Sequence, residues 1–135
     1  MTTHSFETTV RVRYQDLDAM GHVNNAVYAT YLEEARIEYL TDGLGIDQDE
    51  LSTVLAHLEL DFEAPLVSTR EATVGLSVTD VGTKSFTLDY EIRDDSDTVA
   101  RAETVQVWVD RETGTAAPLP DAVRDLLADN TTIES

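Results

Sequence analysis

The sequence predicts an α+β fold in which an antiparallel five-stranded sheet packs against one long helix, and three observations lead to this prediction. Apolar and polar residues alternate in five segments, which is the period of half-buried strands. Between the first two segments, apolar residues recur every three or four positions over about 16 residues, as in an amphipathic helix. Short turns join most of the later segments, so these strands are expected to pair with antiparallel neighbours.

The first strand is predicted over Ser5 to Tyr14, where every second residue is apolar or threonine. Residues 15–23 are predicted to form a loop. Asn24 is a suitable N-cap, because its side-chain oxygen can accept an N–H from the first helical turn. The helix is then predicted to run to about Leu40, roughly 24 Å at 1.5 Å per residue, and Gly43 is predicted to supply a left-handed stop.

Four further strands are predicted in the second half of the chain. They span residues 54–62, 72–81, 85–93 and 99–109, and a short helix over 121–128 closes the chain. In the last and longest strand Val105, Val107 and Val109 are in phase. A single sheet of this kind buries one face on the helix, and its other face or its edge is expected to need a partner chain. We therefore predict one domain over residues 1–135.

Length and composition exclude several classes of protein. The chain has 135 residues, enough for a real core, and 41% of them are hydrophobic. No apolar run approaches the roughly 18 residues that span a bilayer. The first residues have neither a basic segment nor an apolar one, so no secretory signal is expected and a cytoplasmic location is predicted. Because there is no cysteine, disulfides, thiolate nucleophiles and cysteine-bound metals are excluded.

The net charge of −18 comes from 27 acidic residues against 9 basic ones, of which only Lys84 is a lysine. The acids are spread along the chain and do not form a tail. At about 1 M salt the screening length is only about 3 Å, so the self-repulsion of such a surface is weak. We therefore favour a halophilic protein over an ordinary acidic one. No basic patch could neutralise phosphates, so a nucleic-acid partner is not expected.

The most informative segment runs from Asp16 to Arg36. Asp16 and Asp18 lie in the predicted loop, His22 follows, and an Asn pair opens the helix. This order brings a base, an imidazole and the free N–H groups of a helix N-terminus close together. Such a set of groups suits attack on a carbonyl carbon, because a base activates the attacking group and N–H donors stabilise the oxyanion.

On these residues the chain resembles the acyl-CoA thioesterases of the hot-dog superfamily, the group that includes 4-hydroxybenzoyl-CoA thioesterase. It is also similar to plant acyl-ACP thioesterases around Asp18 and His22, although Met20 stands where the plant pattern has Asn. Four later segments also resemble the family pattern and occur in the expected order, at residues 60–66, 84–86, 100–102 and 118–120. The resemblance implies a curved antiparallel sheet wrapped around a central helix, a homodimer or homotetramer, and active sites at the dimer interface.

The resemblance also implies roles for three residues of this segment. Asp18 takes the catalytic position, either as general base for water or as nucleophile through an anhydride. Asp16 competes for this role and is expected to be structural, while Asp18 by itself could simply form an Asx-type turn. His22 is implied to assist, the alternative being a turn histidine that bonds backbone. The backbone N–H of Asn25 is implied to polarise the thioester carbonyl, and its side chain is expected to anchor the helix.

Two residues are predicted to contact the substrate. Tyr28 lies one turn into the helix and is expected to line the acyl pocket, and the resemblance puts Ser85 near the active-site end of its strand. His4, His22 and His57 lack metal-ligand spacing, so we predict neither a metal nor another cofactor.

The remaining side chains of the helix are predicted to be structural. Tyr31 and Tyr39 lie on its apolar face and are expected in the core. Glu33 and Arg36 are close to a Glu-x-x-Arg signature of the resembled family, and they can pair at i,i+3.

We therefore predict an acyl-CoA thioesterase that hydrolyses a thioester to a carboxylic acid and free CoA. An acyl carrier is an alternative substrate, since the many negative charges of coenzyme A would be repelled by an acidic protein. Two other functions remain open from the sequence: a hot-dog dehydratase or hydratase, and a non-catalytic module that binds acyl thioesters.

Overall fold

The computed structural model describes residues 5–67 and 70–131. The strands and α-helices are β1 (Phe6–Arg11), α1 (Tyr28–Glu38), β2 (Thr53–Phe62), β3 (Glu71–Val81), β4 (Ser85–Asp94), β5 (Asp97–Trp108) and α2 (Asp121–Asp129). The predicted α+β class, the long helix, the five strands and the short closing helix are confirmed. Among the described helices, none combines the length and the apolar character required to cross a bilayer.

The five strands form one antiparallel sheet in the order β1-β3-β4-β5-β2. β1 and β2 follow each other along the chain but lie at opposite edges, since Arg11 pairs with Glu71 and Phe62 pairs with Ala100. The register shifts at one point in each of the pairs β2–β5, β3–β4 and β4–β5. Such irregularities increase the local twist, and they help to curve the sheet around α1.

The core lies between α1 and the concave face of the sheet. The helix contributes the buried side chains Tyr28, Tyr31, Leu32 and Ala35. Alternate residues of β3 and β4 face them, namely Val74, Leu76, Val78, Phe86, Leu88, Tyr90 and Ile92, all at most 2% exposed. Burial of these side chains stabilises the fold by about 25 cal/mol per Å² of apolar surface removed from water.

The boundaries of the long helix differ in detail from the prediction. Asn24 caps it as predicted, because its side chain accepts the Ala26 N–H at 2.9 Å. The first turn, Asn25–Val27, is a 3-10 turn, and α1 continues into a π turn over Tyr39–Gly43. The prediction of Gly43 as the left-handed stop is wrong: the positive φ of +79° belongs to Gly45.

The ends and faces of two strands also differ from the sequence pattern. β1 ends at Arg11, and Tyr14 opens a short 3-10 turn in which its ring is 88% exposed. In β5 the in-phase valines 105 and 107 are only half-buried. The buried positions of this part of β5 are Thr104, Gln106 and Trp108, which alternate with the valines.

The β2 edge of the sheet is apolar and open. β2 pairs on one side only, with β5, in the described part of the chain. Val54, Leu55 and Phe62 are about half exposed, at 49%, 48% and 47%. An exposed strand edge carries unpaired N–H and C=O groups, so this edge is suited to pairing with another chain.

Candidate functional site

The loop between β1 and the helix is held by backbone hydrogen bonds at both ends. Asn24 N–H donates to the carbonyl of Asp16 at 2.8 Å, and Asp18 N–H donates to the carbonyl of His22 at 2.7 Å. Gly21 has φ +76°, a conformation that glycine adopts without steric cost. Val23 N–H donates to Leu66 at 2.8 Å, which ties the loop to the segment after β2. These hydrogen bonds therefore fix the backbone from which the side chains of the loop project.

The carboxylate of Asp18 uses only one of its two oxygens within the described ranges. Its Oδ1 accepts the N–H groups of Met20 at 2.8 Å and His22 at 3.2 Å, as in an Asx-type turn. Oδ2 has no partner within residues 5–67 and 70–131, and the side chain is exposed. The turn and a chemical role are thus compatible, because one oxygen fixes the geometry and the other remains available.

Asp16 is engaged differently, although it lies two residues away. Its Oδ2 accepts the Arg13 N–H at 2.9 Å and the Tyr31 hydroxyl at 2.7 Å. These contacts fasten the loop to the helix, and Asp16 does not line the cavity that contains Asp18. Burial raises the pKa of Tyr31, and the hydrogen bond to the Asp16 carboxylate raises it further. The hydroxyl therefore stays protonated and continues to donate.

A cavity of about 430 Å³ brings together four of the five predicted site residues: Asp18, His22, Asn25 and Tyr28. His22 is half-buried and lines the cavity, and among the described residues it is its backbone and not its ring that bonds Asp18. The N–H of Asn25 opens the first helical turn and has no acceptor in the described ranges. An N–H in this position favours negative charge, because the positive end of the helix dipole also lies at the helix N-terminus.

Tyr28 forms the inner wall of the cavity. It is 2% exposed, and its ring packs edge-to-face on Phe62 with centroids 4.9 Å apart. Burial raises the pKa of the Tyr28 phenol, and a hydrogen bond to the Leu66 backbone offsets part of that rise. The phenol therefore remains neutral at physiological pH and offers a largely apolar surface.

The outer wall comes from residues 62–65, which the sequence did not identify as part of the site. Phe62, Glu63, Ala64 and Pro65 follow β2 and line the same cavity. Residues 60–66 resemble the family pattern, which could have drawn attention to this segment. Where the segment lies in space, however, depends on how β2 pairs with β5. Glu63 is held by Arg101, whose Nε lies 2.8 Å from its Oε2 and whose guanidinium also contacts the buried Glu91.

Ser85 is the one predicted site residue that does not line this cavity. It is half-buried at the start of β4, where its carbonyl accepts the Gly82 N–H at 2.7 Å. His57 lies on β2 beside Glu59, and His4 lies outside the described residues. The described part of the chain contains no group of three or more His, Asp or Glu side chains arranged to hold a metal ion.

The arrangement combines an available carboxylate oxygen, an imidazole and a helix N–H without an acceptor in the described ranges, around one cavity with an aromatic wall. These groups can activate a nucleophile and stabilise negative charge on a carbonyl oxygen. They suit a substrate with a carbonyl group next to an apolar body.

Comparison with known proteins gives consistent results. Residues 12–127 match a family described as the thioesterase-like superfamily. A thioesterase from Thermus thermophilus, solved with coenzyme A and Zn, is 33% identical, with a TM-score of 0.84 over 96% of each chain.

Two curated relatives are each 28% identical to this chain. The 1,4-dihydroxy-2-naphthoyl-CoA hydrolase of Synechococcus elongatus aligns over 134 residues, which cover 94% of this chain and 96% of that protein. The long-chain acyl-CoA thioesterase FadM of Escherichia coli aligns over 126 residues, which cover 90% and 96% respectively.

Proposed function

Since the chain belongs to the thioesterase-like superfamily and is a thioester hydrolase, we propose that it hydrolyses acyl-CoA with Asp18 as the central catalytic group. The observation that carries this proposal is the available Oδ2 of Asp18 in the same cavity as the Asn25 N–H. A base or nucleophile and an oxyanion donor are the two groups that thioester cleavage requires.

In the proposed reaction the thioester carbonyl lies with its oxygen toward the Asn25 N–H. Asp18 either removes a proton from the attacking water or attacks the carbonyl carbon itself. On the first route water adds to the carbonyl carbon, the C–S bond breaks to give the carboxylic acid, and the proton taken from water passes to the sulfur of free CoA. On the second route Asp18 displaces the sulfur and forms an anhydride, which water then cleaves to the carboxylic acid and free Asp18 while a proton from water passes to the CoA thiolate. Both routes need a carboxylate oxygen of Asp18 that can reach the substrate, and the hydrogen bonds to Oδ1 leave Oδ2 for this role. His22 orients water or the carbonyl from the same cavity, and Tyr28 lines the acyl end.

The test is thiol release from short, medium, long and aromatic acyl-CoAs in molar KCl. Asp18→Asn should lower kcat about 10²- to 10⁴-fold, the usual contribution of a positioned base. The substitution is conservative, because the Asn side-chain oxygen can still accept the N–H groups of Met20 and His22.

The matched control is Asp110→Asn. Asp110 Oδ1 also accepts two backbone N–H groups, from Glu112 and Thr113, but in a turn outside the proposed site. Equal kcat for Asp18→Asn and the wild type would overturn the assignment of Asp18. If the folded protein released no thiol from any acyl-CoA, acyl-carrier thioesters would be tested next, and product analysis would reveal hydration in place of hydrolysis.

We also propose the setting in which the enzyme works. The open apolar edge of β2 supports a homodimer or homotetramer, which light scattering on a size-exclusion column would detect. The net charge of −18 supports a cytoplasmic protein of a halophile, where molar salt screens the acidic surface.

A further inference from the structure

A second, smaller cavity of about 120 Å³ lies between α1 and the strands β2 and β5. Its apolar wall includes Leu55 and Leu58, and its polar wall includes Glu33, Arg36 and Thr104. The volume is several times the roughly 30 Å³ that one water occupies in the liquid. It is therefore large enough to hold a small polar group at the end of a chain.

Arg36 brings a positive charge to this cavity, and it has no carboxylate partner in the described part of the chain. The predicted pair of Glu33 and Arg36 is not among the ion pairs of residues 5–67 and 70–131. Instead Arg36 lies beside the Tyr90 phenol, where burial raises the pKa of that phenol and the charge of Arg36 lowers it in part. The Tyr90 hydroxyl lies 2.7 Å from Thr104 Oγ1. A guanidinium has five N–H donors, so one hydroxyl leaves most of them available to a ligand.

Gln106 is a second polar group of interest in the same region. It is 1% exposed, and its Nε2 has no hydrogen-bond partner within the described residues. It lies two residues after Thr104 on the same face of β5, and it pairs in register with Leu55 of β2. Both of those neighbours line the small cavity. A buried amide without a partner is costly, so an acceptor that reached it would bind favourably.

The small cavity and the Asp18 cavity lie along the same helix and the same strand. Tyr28 borders the Asp18 cavity and Arg36 borders the small cavity, and the two residues lie about 12 Å apart at 1.5 Å per residue. On β2, Phe62 borders the Asp18 cavity and Leu58 borders the small cavity, and Leu60 lies between them on the same face. An extended acyl chain could therefore follow this apolar strand from one cavity to the other.

We propose that the small cavity receives the far end of the acyl group and selects acyl chains that carry an oxygen acceptor there. This proposal rests on the proposed thioester hydrolysis. The acceptor is a hydroxyl, carbonyl or carboxylate oxygen that Arg36 binds and that lies beside Gln106. The thioester carbonyl is proposed to lie at the Asn25 N–H, eleven residues before Arg36 and so about 16 Å away along the helix. At roughly 1.2 Å per bond of an extended chain, the oxygen lies about fourteen bonds from the thioester.

The test compares acyl-CoAs of equal chain length that end in a methyl, a hydroxyl or a carboxyl group. For the wild type we expect kcat/KM at least tenfold higher with an oxygen-bearing end than with a methyl end. Arg36→Met should reduce this ratio to about one or below, because it keeps the bulk of the side chain and removes the donors. The hydroxyl and carboxyl series separate a neutral acceptor from an anion, which Glu33 would disfavour.

The control is Arg93→Met. Arg93 is a half-buried arginine that pairs with Glu7 and does not line either cavity. It should leave the substrate ratio unchanged even if stability falls. A purely structural role of Arg36 would lower all rates together. If Arg36→Met failed to fold, Gln106→Met would carry the same test.

Two outcomes would overturn the proposal: a wild-type preference for the methyl end, or an oxygen preference that Arg36→Met leaves intact. Absence of thiol release from every substrate would count against hydrolysis instead. The small cavity would then be tested by calorimetric binding of the same three CoA thioesters to the wild type and Arg36→Met. Equal affinities for the three would overturn it.

Discussion

Two tyrosine hydroxyls on the same helical segment differ in what they contact. The Tyr31 hydroxyl donates to Asp16 at 2.7 Å and so fastens the Asp18 loop to the helix. The Tyr39 hydroxyl is buried and has no partner within the described ranges. A hydrogen bond to a charged group contributes about 1.5–3 kcal/mol, whereas a buried hydroxyl without a partner costs free energy.

Removal of these hydroxyls should therefore have different effects on the free energy of unfolding. Tyr31→Phe should lower the free energy of unfolding by about 1–2 kcal/mol, because Asp16 loses a donor. Tyr39→Phe should leave it unchanged or raise it, and it serves as the matched control. Urea unfolding followed by circular dichroism measures both, and equal losses for the two variants would contradict the assignment.

Buried tyrosines also predict how stability depends on pH. Burial raises the pKa of Tyr28, Tyr31, Tyr39 and Tyr90 above the ordinary value of 10.0. Above pH 10 the unfolded chain loses these protons and the folded chain keeps them, so the free energy of unfolding falls as pH rises. The slope is at most about 1.4 kcal/mol per pH unit for each group.

Urea midpoints at pH 8, 10 and 11 would measure this loss, and the absorbance of tyrosinate would identify its source. Tyr31→Phe removes one of the four groups, so its stability should fall less steeply above pH 10. Ionisation of these tyrosines near pH 10 in the folded protein would contradict the expectation.

At the scale of elements, the end of the long helix depends on two glycines for different reasons. Gly45 needs a positive φ of +79° and has open space around it. A Cβ at Gly43 would lie 2.9 Å from Tyr39 and 3.1 Å from Phe6. Backbone conformation therefore requires glycine at one position, and packing requires it at the other.

Substitution at the two glycines should give opposite orders of stability. Gly45→Ala should cost about 1–2 kcal/mol, and Gly45→Asn less, because Asn tolerates the left-handed conformation. Gly43→Ala should cost about 1–3 kcal/mol from overpacking, and the larger Asn more. Urea midpoints of the four variants test this, and the same order at both sites would refute it.

Periodicity was sufficient to predict the helix and the strands, but it did not predict boundaries that depend on tertiary contacts. The alternation of β1 continues through Tyr14, although the backbone turns after Arg11. Apolar residues occur on both faces of β5, so the pattern alone did not reveal that Thr104 and Gln106 are the buried positions. Strand order and register depend on contacts between segments that are far apart in the sequence, so local periodicity did not predict them.

The residues around the candidate site also fall into two groups, those that local sequence predicts and those that only strand pairing brings there. Asp18, His22, Asn25 and Tyr28 lie within eleven positions of one another, so local order was enough to predict that they lie close together, and they line one cavity. Phe62 to Pro65 reach that cavity only through the pairing of β2 with β5, which no short pattern encodes. The role of Ser85 stays a prediction, since it lies away from this cavity.

For the whole molecule, charge should make stability depend on salt. With a net charge of −18, raising KCl from 0.1 M to 2 M should increase the free energy of unfolding, because the screening length falls from about 10 Å to below about 3 Å. Urea unfolding at both salt concentrations measures the effect. Loss of stability in molar KCl would argue against a halophilic protein.

A charge-reduced variant separates screening from other salt effects. Replacement of Asp94, Asp95 and Asp97 by Asn lowers the negative charge in the turn between β4 and β5 by three. This variant should gain less stability from added KCl than the wild type does. The same gain in both proteins would show that charge repulsion is not the cause.

The order of the strands has a consequence for synthesis on the ribosome. β1 and β2 are made early, but their partners β3 and β5 come much later in the chain. Pairing over such distances has a high entropic cost of loop closure, so folding is slow compared with that of a helical bundle. A nascent chain that stops before β5 carries β2 with both edges unpaired, and this is the stage at which it most needs protection from aggregation.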